Sequence, residues 1–497
     1  MGLKAFLSVC FARFVVKKNN AWKHSAVKHQ QKIMHQLIAK AQKTAFGIDH
    51  GFSDITCYDD FKKNIPIRDY EEIKTYVDRV VNGEKDVLWP RKPIYFCKTS
   101  GTTSGSKFIP ITKESMPFHL KAAKDAILTY ILETGNSSIV NGKMIFLQGS
   151  PVLTKTGSIL TGRLSGIVAH HIPFYLKQNR LPSFTTNSIE DWEKKVDAIV
   201  KETIDENMTI ISGIPPWVQM YFEKLNKKSG KLIGDLFKNF SLFIYGGVNF
   251  APYKNTFERL IGKKIAGIEL YPASEGFIAY QDSQKENGML LCVNHGIFYE
   301  FVEAQSFFNK KPNRICLADV VVGVNYVIIL NTNAGLWGYC IGDTVKFVSK
   351  DPYKIVVTGR IKHFTSAFGE HVIAEEVESS LKETLKLFPA EINEFHVAPQ
   401  VNPSSGLPYH EWFIEFKKHP EDLVGFKKSL DICLQKHNSY YRDLVSGSVL
   451  DELKITCISK NGFVKFMKDE GRLGGQNKVP RLANDRKTAE KLNIYRE

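Results

Sequence analysis

Three short stretches hold residue types suited to handling a phosphate. The first, Lys98-Thr99-Ser100-Gly101-Thr102-Thr103-Ser104-Gly105-Ser106-Lys107, is dense in hydroxyls and sets two glycines between two lysines. Glycine lets backbone N–H groups turn toward an anion, hydroxyls add donors, and lysine adds charge. The stretch therefore reads as a loop after a short strand, able to bind a triphosphate. It is not a Walker A loop, which spaces its glycines by four residues and follows the second at once with Lys-Ser/Thr. Here three residues separate Gly101 from Gly105, and Ser106 precedes Lys107. The second stretch, Tyr271-Pro272-Ala273-Ser274-Glu275-Gly276, follows a predicted strand and offers a carboxylate for magnesium. The third, Gly342-Asp343-Thr344, leads into a strand and offers Asp343 to a ribose diol. The alternatives are a flexible Ser/Gly turn, an ordinary loop and a Gly-Asp turn.

The elements that must position these residues can be read from periodicity. Short apolar runs with strand character lie at 94–96, 144–147, 209–212, 242–245 and 266–271. Helical spacing fills 113–132, 190–204, 217–227 and 253–261 between them. This alternation predicts βαβ units and a mostly parallel sheet. From 289 to 358 six strand-like runs joined by short turns predict an antiparallel sheet or small barrel attached to that unit. A further alternating block follows: helix 373–387, strand 395–398, strand 412–416, helix 421–437 and strand 453–458. It is long enough for an α+β domain of its own. The boundary falls near 358–363. Upstream, apolar positions from Trp22 to Phe46 predict one helix stopped by Gly47.

Composition sets outer limits. The chain has 497 residues, 43% hydrophobic and 24% charged, which is globular. Its formal charge of +15 favours anionic partners. The basic residues are scattered and no aromatic-basic recognition motif accompanies them, so nucleic acid is not expected. Eight cysteines form no Cys-x-x-Cys pair, which suits reduced thiols in a cytoplasmic protein. Ala5–Val16 looks like a short signal core, but Arg13 interrupts it and Lys17-Lys18-Asn19-Asn20 follows. We read an amphipathic first helix. No uncharged run of 18 residues exists, so no membrane span is predicted.

Taken together and in order, the motifs resemble the auxin-responsive Gretchen Hagen family of acyl acid amido synthetases. That family belongs to the adenylate-forming superfamily of acyl-CoA synthetases and luciferase. The matching stretches are Thr99–Pro110, Tyr271–Glu275 and Trp337-Gly338-Tyr339-Cys340-Ile341-Gly342-Asp343-Thr344-Val345. Lys43-Thr44-Ala45-Phe46-Gly47 and Lys478-Val479-Pro480-Arg481 agree at either flank. The resemblance implies an α/β adenylation domain over 1–358, a hinge over 359–363 and a smaller mobile α+β domain over 364–497. ATP and magnesium are the implied cofactors. Ser100, Gly101, Thr102, Thr103 and Lys107 would meet the phosphates. Gly246 and Gly247 would lie beside the adenine, with Tyr271 over its ring and Ser274 nearby. Glu275 would help bind magnesium, and Asp343 would bind the ribose. Arg360 would lie near the nucleotide, Lys362 would be the pivot, and Lys478 would swing in toward the α-phosphate or the acyl carboxylate.

The implied reaction joins a small carboxylic acid to an amine, expected to be that of an amino acid, through an acyl-adenylate. A thiol acceptor such as CoA would make the chain an acyl-CoA ligase. A non-catalytic nucleotide- or nucleic-acid-binding protein is the reading from another class; it predicts salt-sensitive, ATP-independent binding.

Overall fold

The computed structural model describes residues 2–102, 105–173, 177–189, 191–247, 250–361, 364–365, 372–401, 403–446, 450–473, 478–483 and 485–497. The chain divides into two compact units. The first holds Met1–Ile341 with Lys346–Val356. The second holds Gly342–Val345, Val357–Leu473 and, from Lys478, the rest of the chain.

Two helices open the first unit, α1 (Leu3–Lys23) and α2 (Ala26–Ala41). The single helix expected over 22–46 is thus broken twice, and each break has a local cause. Ser25 turns the chain, its N–H donating to Trp22 O at 3.2 Å and its hydroxyl to Ala21 O at 2.8 Å. Thr44 then caps a new short helix, Ala45–Asp49, accepting from Gly47 N at 3.0 Å. Gly47 is not a stop. It sits inside that helix, where a Cβ would lie 2.2 Å from Ala41 O.

One twelve-stranded sheet dominates the chain, in the order β13-β12-β14-β15-β16-β11-β10-β9-β8-β7-β3-β6. Its parallel half contains β3 (Lys143–Phe146), β6 (Arg180–Leu181), β7 (Met208–Ser212), β8 (Leu242–Gly246) and β9 (Ala266–Ala273). The helices Trp192–Thr203, Pro215–Ser229 and Lys254–Ile261 cover it. They present Val196, Ile199, Val218, Tyr221, Phe257 and Ile261, at three- and four-residue spacing within each helix, to Ile211 and Phe243 of the strands. The remaining strands are β10 (Gly276–Tyr280), β11 (Met289–Leu291), β12 (Ile297–Glu303), β13 (Arg314–Cys316), β14 (Asn325–Thr332), β15 (Tyr339–Lys350) and β16 (Tyr353–Arg360). The strands expected as an attached antiparallel sheet or small barrel are therefore the other half of the same sheet. A smaller sheet runs β2-β1-β5-β4, with β1 (Tyr95–Thr102), β2 (Gly105–Ile111), β4 (Thr154–Thr156) and β5 (Ile159–Gly162).

In the second unit, β19 (Glu391–Gln400), β20 (Tyr409–Lys418) and β21 (Lys454–Cys457) form a sheet. The two-residue period of β20 divides its side chains between two cores. Trp412, Ile414 and Phe416 meet Leu381, Phe426, Leu430 and Leu434 of two helices. Phe413, on the opposite face, meets Phe463, Phe466 and Leu492. Two further short strands, β17 (Phe364–Thr365) and β18 (Val372–Ile373), pair antiparallel.

Two buried histidines make the first unit acid-sensitive. His119 and His295 are each almost wholly enclosed, and three of their four ring nitrogens have no hydrogen-bond partner among the described residues. Burial pushes their pKa values down to about 4 and about 3. Both stay neutral in the fold at pH values where the unfolded chain protonates them. Their contribution is complete above the ordinary histidine pKa and is lost as pH falls from about 6.5 toward 4, by up to about 1.4 kcal/mol per pH unit for each. Urea-unfolding midpoints measured from pH 7 to pH 5 should fall, and a His295→Asn variant should show a visibly shallower slope than the parent. Equal slopes would refute this origin of the acid sensitivity.

Candidate functional site

The phosphate stretch is a hairpin rather than a loop. β1 runs through Thr102 and β2 resumes at Gly105, with Thr99 opposite Lys107 and an irregularity between Thr99 and Thr102. The β-branched threonines suit extended backbone, which outweighed the turn signal of the glycines. Thr103 lies outside the described residues; Ser100, Gly101 and Thr102 are placed by their backbone in β1. Lys107, on β2, holds its ammonium 5.6 Å from the centre of the Tyr70 ring. The Tyr70 hydroxyl accepts from Phe108 N at 2.8 Å, fixing the root of the hairpin to the helix Tyr70–Val81.

Gly246, Gly247, Tyr271, Ser274 and Glu275 lie together for a topological reason. β8 and β9 are parallel neighbours with Gly246 opposite Leu270, so their carboxyl ends emerge side by side. The carboxyl edge of a parallel sheet is where ligands bind in open α/β folds. Gly246 is required there, since a Cβ would lie 2.3 Å from Leu270 O. Gly247 turns the chain away with φ +80°. Tyr271 is buried near the end of β9, and Ser274-Glu275 is the two-residue turn into β10.

The hairpin and this turn are joined. The Cys97 thiol of β1 donates to Ser274 Oγ at 3.1 Å. Burial, with the Glu275 charge acting the same way, raises the thiol to about 12 against the opposing effects of Ser274 and Arg163. The thiol is therefore a protonated strut, not a nucleophile. β5 is parallel to β1, with Gly162 opposite Cys97, so Arg163 leaves the end of β5 beside the hairpin. Arg163 is mostly buried, and no described carboxylate pairs with it; burial lowers its pKa. Tyr339, at the start of β15, is fully buried. Its hydroxyl has no hydrogen-bond partner among the described residues. Burial and then the Glu275 charge hold that phenol far above its usual pKa. Sequence reasoning missed Tyr70, Cys97 and Arg163 as site residues. Only the position of Cys97, just ahead of the hydroxyl-rich stretch, pointed its way.

The unpartnered Tyr339 hydroxyl and the Cys97–Ser274 strut close to the half-buried Glu275 carboxylate, with the mostly buried Arg163 guanidinium beside Cys97 and the Lys107 ammonium over Tyr70, make a chemically specific set. The cations and donors suit phosphate oxygens, and the carboxylate suits a hard divalent ion on those oxygens. These residues fit a magnesium–nucleotide.

The other expected residues belong to the second unit. Asp343 is half-buried on β15, between Gly342 and Thr344. Gly342 O accepts from Ile361 N at 2.6 Å, and the Thr344 hydroxyl accepts from that of Thr358 at 2.8 Å. Arg360 ends β16, and Lys362 lies outside the described residues. Lys478 is exposed. The segment after it is secured: Val397 N donates to Arg481 O and Ala483 N to Val397 O, each at 2.9 Å. The Arg481 guanidinium meets Glu378 at 3.2 Å and Glu394 at 3.5 Å.

Lys43–Gly47 and the Trp337 end of the third motif are structural. Trp337 stacks on Phe46 at 6.1 Å and donates to Leu88 O at 3.1 Å, so Lys43–Gly47 and the third motif meet in one aromatic core. Of two adjacent histidines, the half-buried His171 bonds to the Tyr95 hydroxyl at 3.0 Å and the exposed His170 to Pro151 O at 2.8 Å.

Comparison with known proteins agrees with this architecture. Models of the GH3 family N-terminal, central and C-terminal domains match residues 16–190, 290–360 and 375–487. The indole-3-acetic acid-amido synthetase GH3.15 of Arabidopsis thaliana is 35% identical, with 91% of this chain and 89% of that one covered. The solved structure of a GH3.15 acyl acid amido synthetase superposes with a TM-score of 0.77 over 97% of this chain and 96% of that one. Superposed residues there are 15% identical. A 2-hydroxyisobutyryl-CoA ligase in its postadenylation state shares the fold at a TM-score of 0.59 and 13% identity, over 94% of this chain and 91% of that one. With all three domain models matched in order along the chain, the protein belongs to the GH3 family of acyl acid amido synthetases.

Proposed function

We propose that this chain uses ATP to convert a small carboxylic acid to its acyl-adenylate at the Glu275 site, and then passes the acyl group to an amino acid. The observation that carries the reading is the joined hairpin and turn, with Tyr339 close to Glu275, Arg163 beside Cys97 and Lys107 over Tyr70. In the first half-reaction a carboxylate oxygen attacks the α-phosphorus and pyrophosphate leaves. Such transfers depend mainly on positioning and on stabilising charge on phosphoryl oxygens. The hairpin donors and Lys107 bind the phosphates, and the Tyr339 hydroxyl supplies a donor that costs nothing to reorient. Gly246, Gly247 and Tyr271 receive the adenine. Magnesium, held by Glu275, would draw charge from the phosphate oxygens. From the second unit we assign Asp343 to the ribose hydroxyls, Arg360 to the nucleotide, Lys478 to the acyl phosphate and Lys362 to the pivot. Their support is the family match over residues 290–360 and 375–487 and the motifs themselves. In the second half-reaction an uncharged amine attacks the acyl carbon and AMP departs.

The test is ATP–pyrophosphate exchange across a panel of carboxylic acids, indole-3-acetic acid among them because the Arabidopsis relative is named for it. Acid-dependent exchange is expected with at least one acid. Glu275→Gln should lower it about 100-fold and raise the magnesium concentration needed for half-maximal rate. Exchange with no acid, in folded protein, overturns the reading. Product analysis with CoA against mixed amino acids distinguishes a thioester from an amide.

A further inference from the structure

The first helix carries a surface that this chemistry does not use. One face of α1 is docked: Ala5, Ala12, Val15 and Trp22 are buried, and α1 packs along the helix Met116–Thr134. Polar contacts lock it there, with Asn19 Nδ2 donating to Asp125 at 3.0 Å and Lys23 pairing with Asp282 at 2.6 Å. The opposite face is apolar as well. Leu3 is 74% exposed, Phe6 53%, Leu7 55% and Phe14 65%, and Phe11 borders them at 44%. At about 100° per residue Leu3, Phe6, Leu7 and Phe14 form one stripe opposite the docked side chains. Scattered single apolar residues need no explanation, but a stripe on one helix does.

The charge around the stripe says what covers it. No acidic residue occurs from Leu3 to Lys23. Lys4 and Lys18 flank the stripe on one side and Arg13 on the other, with Lys17 continuing it by one turn, and all four are exposed. Lys124 of the neighbouring helix holds its ammonium 5.5 Å above the Phe11 ring. We propose that this face of α1 seats the protein on an anionic lipid bilayer. Phenylalanine and leucine side chains enter the headgroup–acyl boundary while the flanking lysines and arginine stay level with the lipid phosphates and carboxylates. A second copy suits the face poorly, because a two-fold pairing would bring two wholly basic rims together. The attachment is peripheral: among the described residues no helix is long and apolar enough to cross a membrane.

The experiment is co-sedimentation of the full chain with vesicles of phosphatidylcholine alone or with about one-third phosphatidylserine. Binding is expected on the anionic vesicles and should weaken at high salt. Phe6→Ser/Phe14→Ser should reduce it about tenfold or more, and Lys17→Glu/Lys18→Glu should reduce it on anionic vesicles. Both double variants change exposed positions away from the nucleotide site, so acid-dependent exchange in vesicle-free buffer should be unchanged. Absence of binding, equal binding to both vesicles, or equal binding by the Phe6→Ser/Phe14→Ser protein overturns the proposal. Self-association abolished by that variant, without vesicle binding, would assign the face to a second copy instead.

Discussion

Arg163→Met should lower kcat/KM for acid-dependent pyrophosphate exchange by about 100-fold without destabilising the protein. The reasoning starts from cost. A mostly buried guanidinium with no carboxylate partner among the described residues is expensive to keep in a folded chain. Burial alone accounts for its lowered pKa. Such a charge is retained where an anion will meet it. Arg163 leaves β5 next to Cys97, whose thiol bonds to Ser274 in the turn that carries Glu275. Methionine keeps the volume of the aliphatic stem and removes the charge. Denaturation midpoints should therefore stay level or rise, by up to about 1 kcal/mol. Arg163→Lys should recover part of the rate. The Michaelis constant that rises, for ATP or for the acid, identifies the anion held. A protein that loses stability and keeps its rate would show Arg163 to be a packing residue.

Gly338→Ala should cost about 3 kcal/mol or more. Gly338 has φ +56°, and a Cβ there would lie 2.2 Å from Pro66 O. That neighbour is backbone and cannot swing aside. It belongs to a segment bonded on both sides of the glycine: Arg68 N donates to Gly338 O and Cys340 N to Arg68 O, each at 2.8 Å. Alanine would have to part the two segments and would carry Tyr339 with it, so the exchange rate should fall even where folded protein can be recovered. Gly135→Ala is the matched control. Gly135 has φ +72° with nothing within 4 Å of a Cβ, so only the conformational strain, about 1 kcal/mol, should register. If urea midpoints drop equally in the two variants, steric closeness to Pro66 is not the reason for glycine at 338.

The same residues show what sequence could and could not reveal. Strands such as 208–212 and 242–246, and helices such as 423–437, are legible because burial on one face imposes a period on the side chains. Glu275, Ser274 and Tyr271 are legible as a short motif and Gly246 through the family resemblance, and parallel pairing of β8 with β9 brings them side by side. Arg163 and Tyr70 are not. Each reaches the site through pairings set far along the chain, β5 with β1 and the Tyr70 hydroxyl with Phe108 N, and nothing near either residue announces them. Glycine and hydroxyl density predicts a loop where the chain forms a hairpin, because that density occurs in turns and in strands alike. The exposed stripe of α1 was read only as amphipathic. Which face is covered depends on the helix Met116–Thr134, and Leu3, Phe6, Leu7 and Phe14 are on the outside.

The way β15 and β16 are divided between the two units bears on how this protein can be cut and recombined. Gly342–Val345 belongs with the second unit while Lys346–Val356 returns to the first, and the chain crosses again at Val357. The units are therefore interleaved in sequence rather than strung one after the other. A fragment beginning at residue 364 would lack the four residues that place Asp343. A shorter chain ending at 358 would keep them without the rest of their unit. A chimera with a relative would preserve each unit only if Gly342–Val345 were exchanged together with the C-terminal segment. Inheritance of the strand that carries Asp343 is thereby tied to that of the C-terminal segment.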